Sequence, residues 1–146
     1  MNTELIKKAK KLAKQYHQGQ TYNGKTYYNA HLIPVMQLAE IISPEDLKEK
    51  VVLVAILHDI LEDTNCDPEC IKKAFGTEVL ESVLFLTKKA KIGYNKYFKD
   101  ISNNKIAKIV KTADRLVNIY HRKDVKDQQQ KEKLIKKYEE QITYIK

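Results

Sequence analysis

Leu5, Ile6, Ala9, Leu12, Ala13 and Tyr16 recur every three or four positions, which predicts an amphipathic helix over residues 3–17. The next stretch, HQGQTYNGKTYYNA, keeps neither a helical nor a strand period and is rich in glycine, asparagine and tyrosine. It predicts a long loop, the place where binding and catalysis concentrate in a small helical protein. The helical pattern resumes over 31–42, where Pro34 is tolerable only in the first turn. Ser43-Pro44-Glu45-Asp46 is a start signal: a serine cap, a proline at the first helical position and an acid three residues after the cap. The helix it opens carries VVLVAIL over 51–57 with no polar face, which predicts an element buried on every side.

Beyond it, Asp67-Pro68 opens a short helix that stops at Gly76, and Thr77 caps the next, through Thr87. A lysine-rich loop is expected at 88–93, and Ser102 can cap a long helix through Tyr120. Leu134, Ile135, Tyr138, Ile142 and Ile145 mark a final amphipathic helix over 129–145. The polar segment KDVKDQQQKEK before it is a solvated helix face or a short linker. Without repeats or a boundary signal, the expectation is one all-α helical bundle over residues 1–146.

Composition adds limits. At 146 residues and 42% hydrophobic, the chain can bury a core unaided. No apolar run approaches the roughly 18–20 residues that cross a bilayer, so no membrane partner is expected. The start, MNTELIKKAK, has lysines without a following apolar stretch and is no secretory signal, so a cytoplasmic protein is expected. Net charge +8 favours anionic ligands. No nucleic-acid motif accompanies it, so nucleic acid is not the expected partner, although the charge alone leaves it open. Cys66 and Cys70 have no further cysteine to complete a zinc site, and read as structural residues without a disulfide. Nothing here bears on oligomeric state.

The chemistry concentrates in LHDILEDT, residues 57–64. A buried run that ends on His58-Asp59 carries a cost of several kcal/mol unless a partner or a cation compensates it. Neighbouring helical residues point about 100° apart, so further ligands to a shared ion must come from other helices. His31, at the entry to the second helix, and Asp114, which interrupts Ile109, Val110, Ala113, Leu116 and Val117, are the candidates. Two imidazoles and two carboxylates form a mixed nitrogen and oxygen set that suits Mn²⁺, Fe or Zn. Each also has an ordinary reading: His31 as a capping or loop group, Asp114 as a partner of adjacent Arg115. Glu62 and Asp63 lie one turn beyond the doublet, where a carboxylate can orient or deprotonate a water, or simply end a solvated helix. Asn118, four residues after Asp114, shares its face and can hydrogen-bond a ligand.

His31, HDILEDT (58–64), FGTEV (75–79), LTK (86–88) and VKTADRLVN (110–118), in that order, resemble the HD-superfamily hydrolase domain of RelA/SpoT homologues, particularly the small alarmone hydrolases. The resemblance covers residues 5–120 and implies an all-α HD-domain bundle. It implies one Mn²⁺ per chain held by His31, His58, Asp59 and Asp114, with other divalent metals able to substitute. Glu62 and Asp63 would position or activate the water, and Asn118 would contact the nucleotide. The implied reaction removes the 3′-pyrophosphate of ppGpp or pppGpp, giving pyrophosphate and GDP or GTP.

The loop departs from the family pattern, which runs Gly-Gln, a basic pair, then Pro-Tyr-Ile before His-Pro. GQTYNGKTYYNAHLIP keeps Gly19, Gln20, Tyr28 and His31, but Thr21, Tyr22 and Asn23 occupy the basic region and Lys25 is the nearest cation. Where the family stacks an arginine on guanine, Tyr22 offers an uncharged π surface, worth about 1–3 kcal/mol per stacked base. Val117 likewise stands where many relatives have histidine. The expected substrate contacts are therefore Asn118, Tyr22, Lys25 and Tyr28. Two other functions fit the same residues: an HD phosphohydrolase for another phosphorylated nucleotide or an RNA end, and a non-catalytic, antitoxin-like binding module.

Overall fold

Seven consecutive buried residues, Val51 to Leu57, form the axis around which the other helices pack. The computed structural model describes residues 1–122 and 128–145. Residues 123–127 of the polar segment KDVKDQQQKEK, and the side chain of Ile145, lie outside the described residues.

Helix α1 (Thr3–Tyr16) is capped by Asn2, whose Oδ1 accepts from the amides of Glu4 and Leu5 at 3.1 and 3.2 Å. It buries Ala9 and Ala13 and packs against the axial helix. The expected loop contains a small antiparallel hairpin, β1 (Thr21–Tyr22) and β2 (Lys25–Thr26), with Tyr22 opposite Lys25. Its turn residues Asn23 and Gly24 have φ of 51° and 78°, the backbone that an Asn-Gly pair adopts most readily in two-residue hairpins. That dipeptide was the available signal, since two residues per strand are too few to display a period.

The second helix begins earlier than its apolar pattern predicts. A π-helical turn (Tyr28–Leu32) runs into α2 (Ile33–Ile42), and the Ile33 amide reaches back to the Tyr28 carbonyl. Pro34 has no amide to offer Ala30, so the chain widens by one residue before the α-helical ladder starts. A 3₁₀ turn (Glu45–Leu47) follows Ser43-Pro44 and leads into α3 (Lys48–Leu57), the axial helix. After a break at His58-Asp59 come α4 (Ile60–Asp63), α5 (Pro68–Phe75), α6 (Thr77–Leu86), α7 (Tyr94–Ile101), α8 (Lys105–His121) and α9 (Gln128–Ile145).

Three expected caps differ from the structure. Ser43 caps neither the 3₁₀ turn nor α3, because its hydroxyl donates to the Pro44 carbonyl at 3.0 Å and the cap position of that turn falls on Pro44. Gly76, at φ 96°, rather than Thr77, is the cap position of α6. Ser102 closes α7 instead of opening α8, whose cap is Asn104: its Oδ1 accepts from the Ala107 amide at 2.9 Å. Burial of Tyr97, Phe98 and Ile101 on one face makes α7 a helix in its own right and pushes the start of α8 past Ser102. Helices α1, α2, α6 and α8 surround α3, and α9 lies across α7 and α8. Both cysteines are free, Cys66 buried and Cys70 exposed. Among the described residues no helix is long and apolar enough to cross a membrane.

Asn104 Oδ1 also accepts from the buried Ser82 hydroxyl at 3.3 Å. Chemical denaturation of Asn104→Ala should therefore show a loss of about 1–2 kcal/mol, with Ser102→Ala losing less than about 0.5 kcal/mol. Equal losses would place the cap at Ser102.

Candidate metal centre

His58 is fully buried where α3 ends, and its ring is fixed by a hydrogen bond that Nδ1–H donates to the Ala55 carbonyl at 2.7 Å. This leaves Nε2 to face inward, buried and without a hydrogen-bond partner. Opposite it, α8 carries Asp114 and the π-helical turn carries His31. His31 Nε2 is 2.8 Å from Asp114 Oδ1, and His58 Nε2 is 3.5 Å from the same oxygen. Donor atoms of His31, His58 and Asp114 all lie within 4.8 Å of one another. Asp59 brings Oδ2 to 3.0 Å from His58 Nε2 and 3.8 Å from His31 Nε2. All four side chains named as ligand candidates thus converge, from three separate stretches of chain.

The carboxylates stay ionised despite burial. Burial alone would raise the Asp114 carboxyl, but Lys111, and then His31 and His58, hold it well below the usual range. Lys111 Nζ lies 3.1 Å from Asp114 Oδ2 and Arg115 Nη2 lies 3.6 Å from it, so Oδ1 is left to the imidazoles. Lys111 is itself buried, with its ammonium 5.3 Å from the centre of the Tyr97 ring and 5.9 Å from that of Phe98. Burial also opposes the charge on Asp59, and His58 more than offsets it, keeping that carboxyl below its ordinary value. For His58, burial favours the neutral ring, but Asp59 and Asp114 overcome it and raise the imidazole to about 10 in the metal-free protein.

An imidazole nitrogen that faces two carboxylate oxygens without meeting hydrogen-bond geometry to either is an arrangement a cation completes. The nitrogen and oxygen donors His31, His58, Asp114 and Asp59 could hold a divalent metal. Glu62 and Asp63 lie on the rim, in α4. Glu62 Oε1 accepts from the Lys88 amide at 2.6 Å, which ties the loop after α6 to the site. The Asp63 carboxyl is pushed up to about 6 by burial, with Asp59 and Glu62 adding to the effect.

The expected substrate contacts are more scattered. Lys25 is exposed on the hairpin, and Asn118 is half-buried on α8 one turn beyond Asp114. Tyr22 is half-buried with its ring centre 5.2 Å from that of His121, so one face is engaged by α8. Tyr28 differs most from expectation: it is buried, with the Lys14 ammonium 5.0 Å from its ring centre. It lines a cavity of about 240 Å³ with Lys14, His17, Gln18, Thr26 and Asn29.

The apolar pattern does not single out Tyr27 or Lys111, yet both touch the cluster. Tyr27 donates its hydroxyl to Asp59 Oδ2 and stacks on His31 with ring centres 5.1 Å apart. Lys111 is three residues before Asp114, a helical ion-pair spacing that was the available signal.

Residues 9–106 match the family model described as HD domain. The chain belongs to the HD domain family. A GTP pyrophosphokinase rsh of Brucella melitensis is 31% identical over 130 residues, covering 82% of this chain and 17% of the relative. A guanosine-3′,5′-bis(diphosphate) 3′-pyrophosphohydrolase of Aquifex aeolicus is 31% identical over 127 residues, covering 81% of this chain and 18% of the relative. The chain thus spans less than a fifth of the length of these curated relatives. A solved structure of a metazoan SpoT ortholog, described as hydrolysing ppGpp, superposes with a TM-score of 0.76 at 21% identity, over 97% of this chain and 83% of that one. At that identity the superposition speaks to the HD fold.

The charge on His58 sets a pH dependence. Its contribution to the stability of the metal-free protein is complete below the unfolded value near 6.5 and is lost as pH rises through about 10. A cation needs the neutral ring, so each one bound below that range displaces a proton. Apparent affinity for a divalent metal should rise about tenfold per pH unit between pH 6 and 8, as calorimetric titration would read for one displaced proton. A flat profile would remove His58 from the ligands.

Proposed function

We propose that this chain, as a single HD-type domain, is a cytoplasmic Mn²⁺-dependent phosphohydrolase of guanosine alarmones. It would convert ppGpp or pppGpp into GDP or GTP and pyrophosphate. The observation that carries this reading is the convergence of buried His31, His58 and Asp114 with half-buried Asp59, and with Glu62 and Asp63 at the rim. The relatives from Brucella and Aquifex, whose names refer to the synthesis or hydrolysis of such nucleotides, support the substrate class. The mixed donor set accommodates manganese, as it does iron or zinc, and the resemblance to the alarmone hydrolases favours manganese.

His31, His58, Asp59 and Asp114 would hold the metal. A bound divalent cation supplies Lewis acidity toward phosphoryl oxygens and lowers the pKa of water. Asp63 takes the proton of the attacking water as its oxygen bonds to phosphorus and the bond from phosphorus to the ribose 3′ oxygen breaks. The departing oxygen regains a proton from solvent. Glu62, one oxygen committed to the Lys88 amide, orients the water with the other. Asn118, Lys25 and Tyr22 are the proposed nucleotide contacts, Asn118 and Lys25 by hydrogen bond and charge and Tyr22 by its ring, while Tyr28, buried beside Lys14, shapes the loop from behind.

One observation favours a second reading. Lys25 is the single cation of the hairpin Thr21–Thr26, and Tyr22 spends one ring face on His121. A nucleotide without guanine, or a phosphorylated RNA end, would then be hydrolysed by the same metal chemistry.

Anion-exchange analysis of ppGpp incubated with Mn²⁺ should show GDP and pyrophosphate with the wild-type protein. Asp59→Ala should lose both metal binding and turnover. Glu62→Gln should keep the metal and lose rate by about a hundredfold, the lower range for a group that assists proton transfer. Metal binding without ppGpp cleavage, together with turnover of another nucleotide in a panel, would establish the second reading. A biological role that survives Asp59→Ala would instead indicate a binding module.

A further inference from the structure

Tyr27 is not one of the proposed ligands or substrate contacts, yet it touches two of the four ligand residues. Its hydroxyl donates to Asp59 Oδ2, the oxygen that faces both imidazoles. Its ring stacks on His31 with centres 5.1 Å apart and planes 25° apart. His17 also packs against it, with ring centres 5.5 Å apart and planes tilted by 41°. Burial lowers the pKa of His17, outweighing the opposing effect of its hydrogen bond to Gln20.

The ring is held where it can do this. The Tyr27 amide donates to the Gln20 carbonyl at 2.9 Å, closing the base of the hairpin. The Gln20 side chain accepts from His17 Nδ1 at 2.7 Å and donates to the Asp63 carbonyl at 3.2 Å. The base of the hairpin is therefore fastened to α1 on one side and to α4 on the other. Tyr27 projects from that clasp toward Asp59, a residue with no helix of its own because it lies in the break between α3 and α4. The Asp59 side chain is held by the Tyr27 hydroxyl together with His58 Nε2, 3.0 Å from the same oxygen.

We propose that Tyr27 is a positioning residue that aims Asp59 at the His31–His58 pair and so sets the affinity of the site for its divalent cation. A carboxylate oxygen has lone pairs for both a hydroxyl donor and a metal, and hydrogen bonds to ligand groups typically contribute 10–100-fold in metal affinity. The inference rests on the reading of this cluster as a metal site.

The test is calorimetric titration of the full chain with Mn²⁺, comparing wild type, Tyr27→Phe and Tyr27→Leu, with thermal melts of each metal-free protein. Tyr27→Phe keeps the ring, its stack on His31, its tilted contact with His17 and the backbone bond, and removes only the donor. It should bind Mn²⁺ about tenfold more weakly. At saturating metal its kcat should return to within about threefold of wild type, because the hydroxyl acts through Asp59 and not on the reacting atoms. Tyr27→Leu should weaken binding at least as much and also lower the melting temperature, since the packing between His17 and His31 is lost. Equal Mn²⁺ affinity in wild type and Tyr27→Phe would overturn the proposal and reduce Tyr27 to a packing residue. Absence of binding to the wild type would overturn the metal-site reading itself, a result distinguishable from the first.

Discussion

Two carboxylates are held ionised inside an apolar bundle, and much of the surrounding architecture follows from that. An unpaired buried charge costs several kcal/mol, so each oxygen needs a partner. Asp114 divides the work: Oδ2 faces Lys111 and Arg115, and Oδ1 faces the two imidazoles. That division requires Lys111 to be buried as well, which is tolerable because its ammonium is paired and its approach is flanked by Tyr97 and Phe98. The Tyr97 hydroxyl in turn donates to the Leu86 carbonyl at 2.6 Å, at the end of α6. Helix α7 is therefore part of the site although it contributes no ligand candidate.

The same constraint explains the shape of the chain at its most polar point. A helix buried on all sides cannot continue through His58-Asp59-Ile60-Leu61-Glu62-Asp63 without carrying some acids into the core. The break at 58–59 redirects the chain, so that His58 and Asp59 point at the cluster while Glu62 and Asp63 reach the rim. The ring of His58 still belongs to the buried helix through the Ala55 carbonyl. Because that bond consumes Nδ1–H, the other nitrogen is committed to the interior, where a cation or a proton must meet it.

Helices α1, α3 and α5 were legible because apolar periods and caps act within a few residues: the period from Leu5 to Tyr16, the run Val51 to Leu57 and the Asp67 cap carry their own signals. The polar residues of the cluster were legible for a related reason: Asp114 and His58 stand where the apolar pattern leaves no room for a charge. Helix α7 was hidden because eight residues give barely two turns of pattern, and because Ser102 and Asn104 are equally good caps until burial of Ile101 decides between them. Lys111 looks like any of the chain's many lysines, and only the fold reveals that it faces inward. Tyr27 was invisible for another reason: its partner Asp59 is 32 residues away, and the adjacent Tyr28 has the same side chain and points into a different cavity.

The hairpin joins two demands that are separable in space. Its base, Gln20 and Tyr27, is fastened to α1, α4 and Asp59, whereas its outer residues, with Lys25 exposed, extend away from that clasp. Replacement of a basic pair by Thr21, Tyr22 and Asn23 alters the outer part and leaves the clasp closed. The turn at Asn23-Gly24 needs only backbone of the right hand, and the pairing of Tyr22 with Lys25 needs only main-chain hydrogen bonds. The outer residues can consequently vary while the arrangement of His31, His58, Asp59 and Asp114 stays fixed. An HD domain built this way can change what its hairpin presents to solvent with no compensating change in the buried cluster.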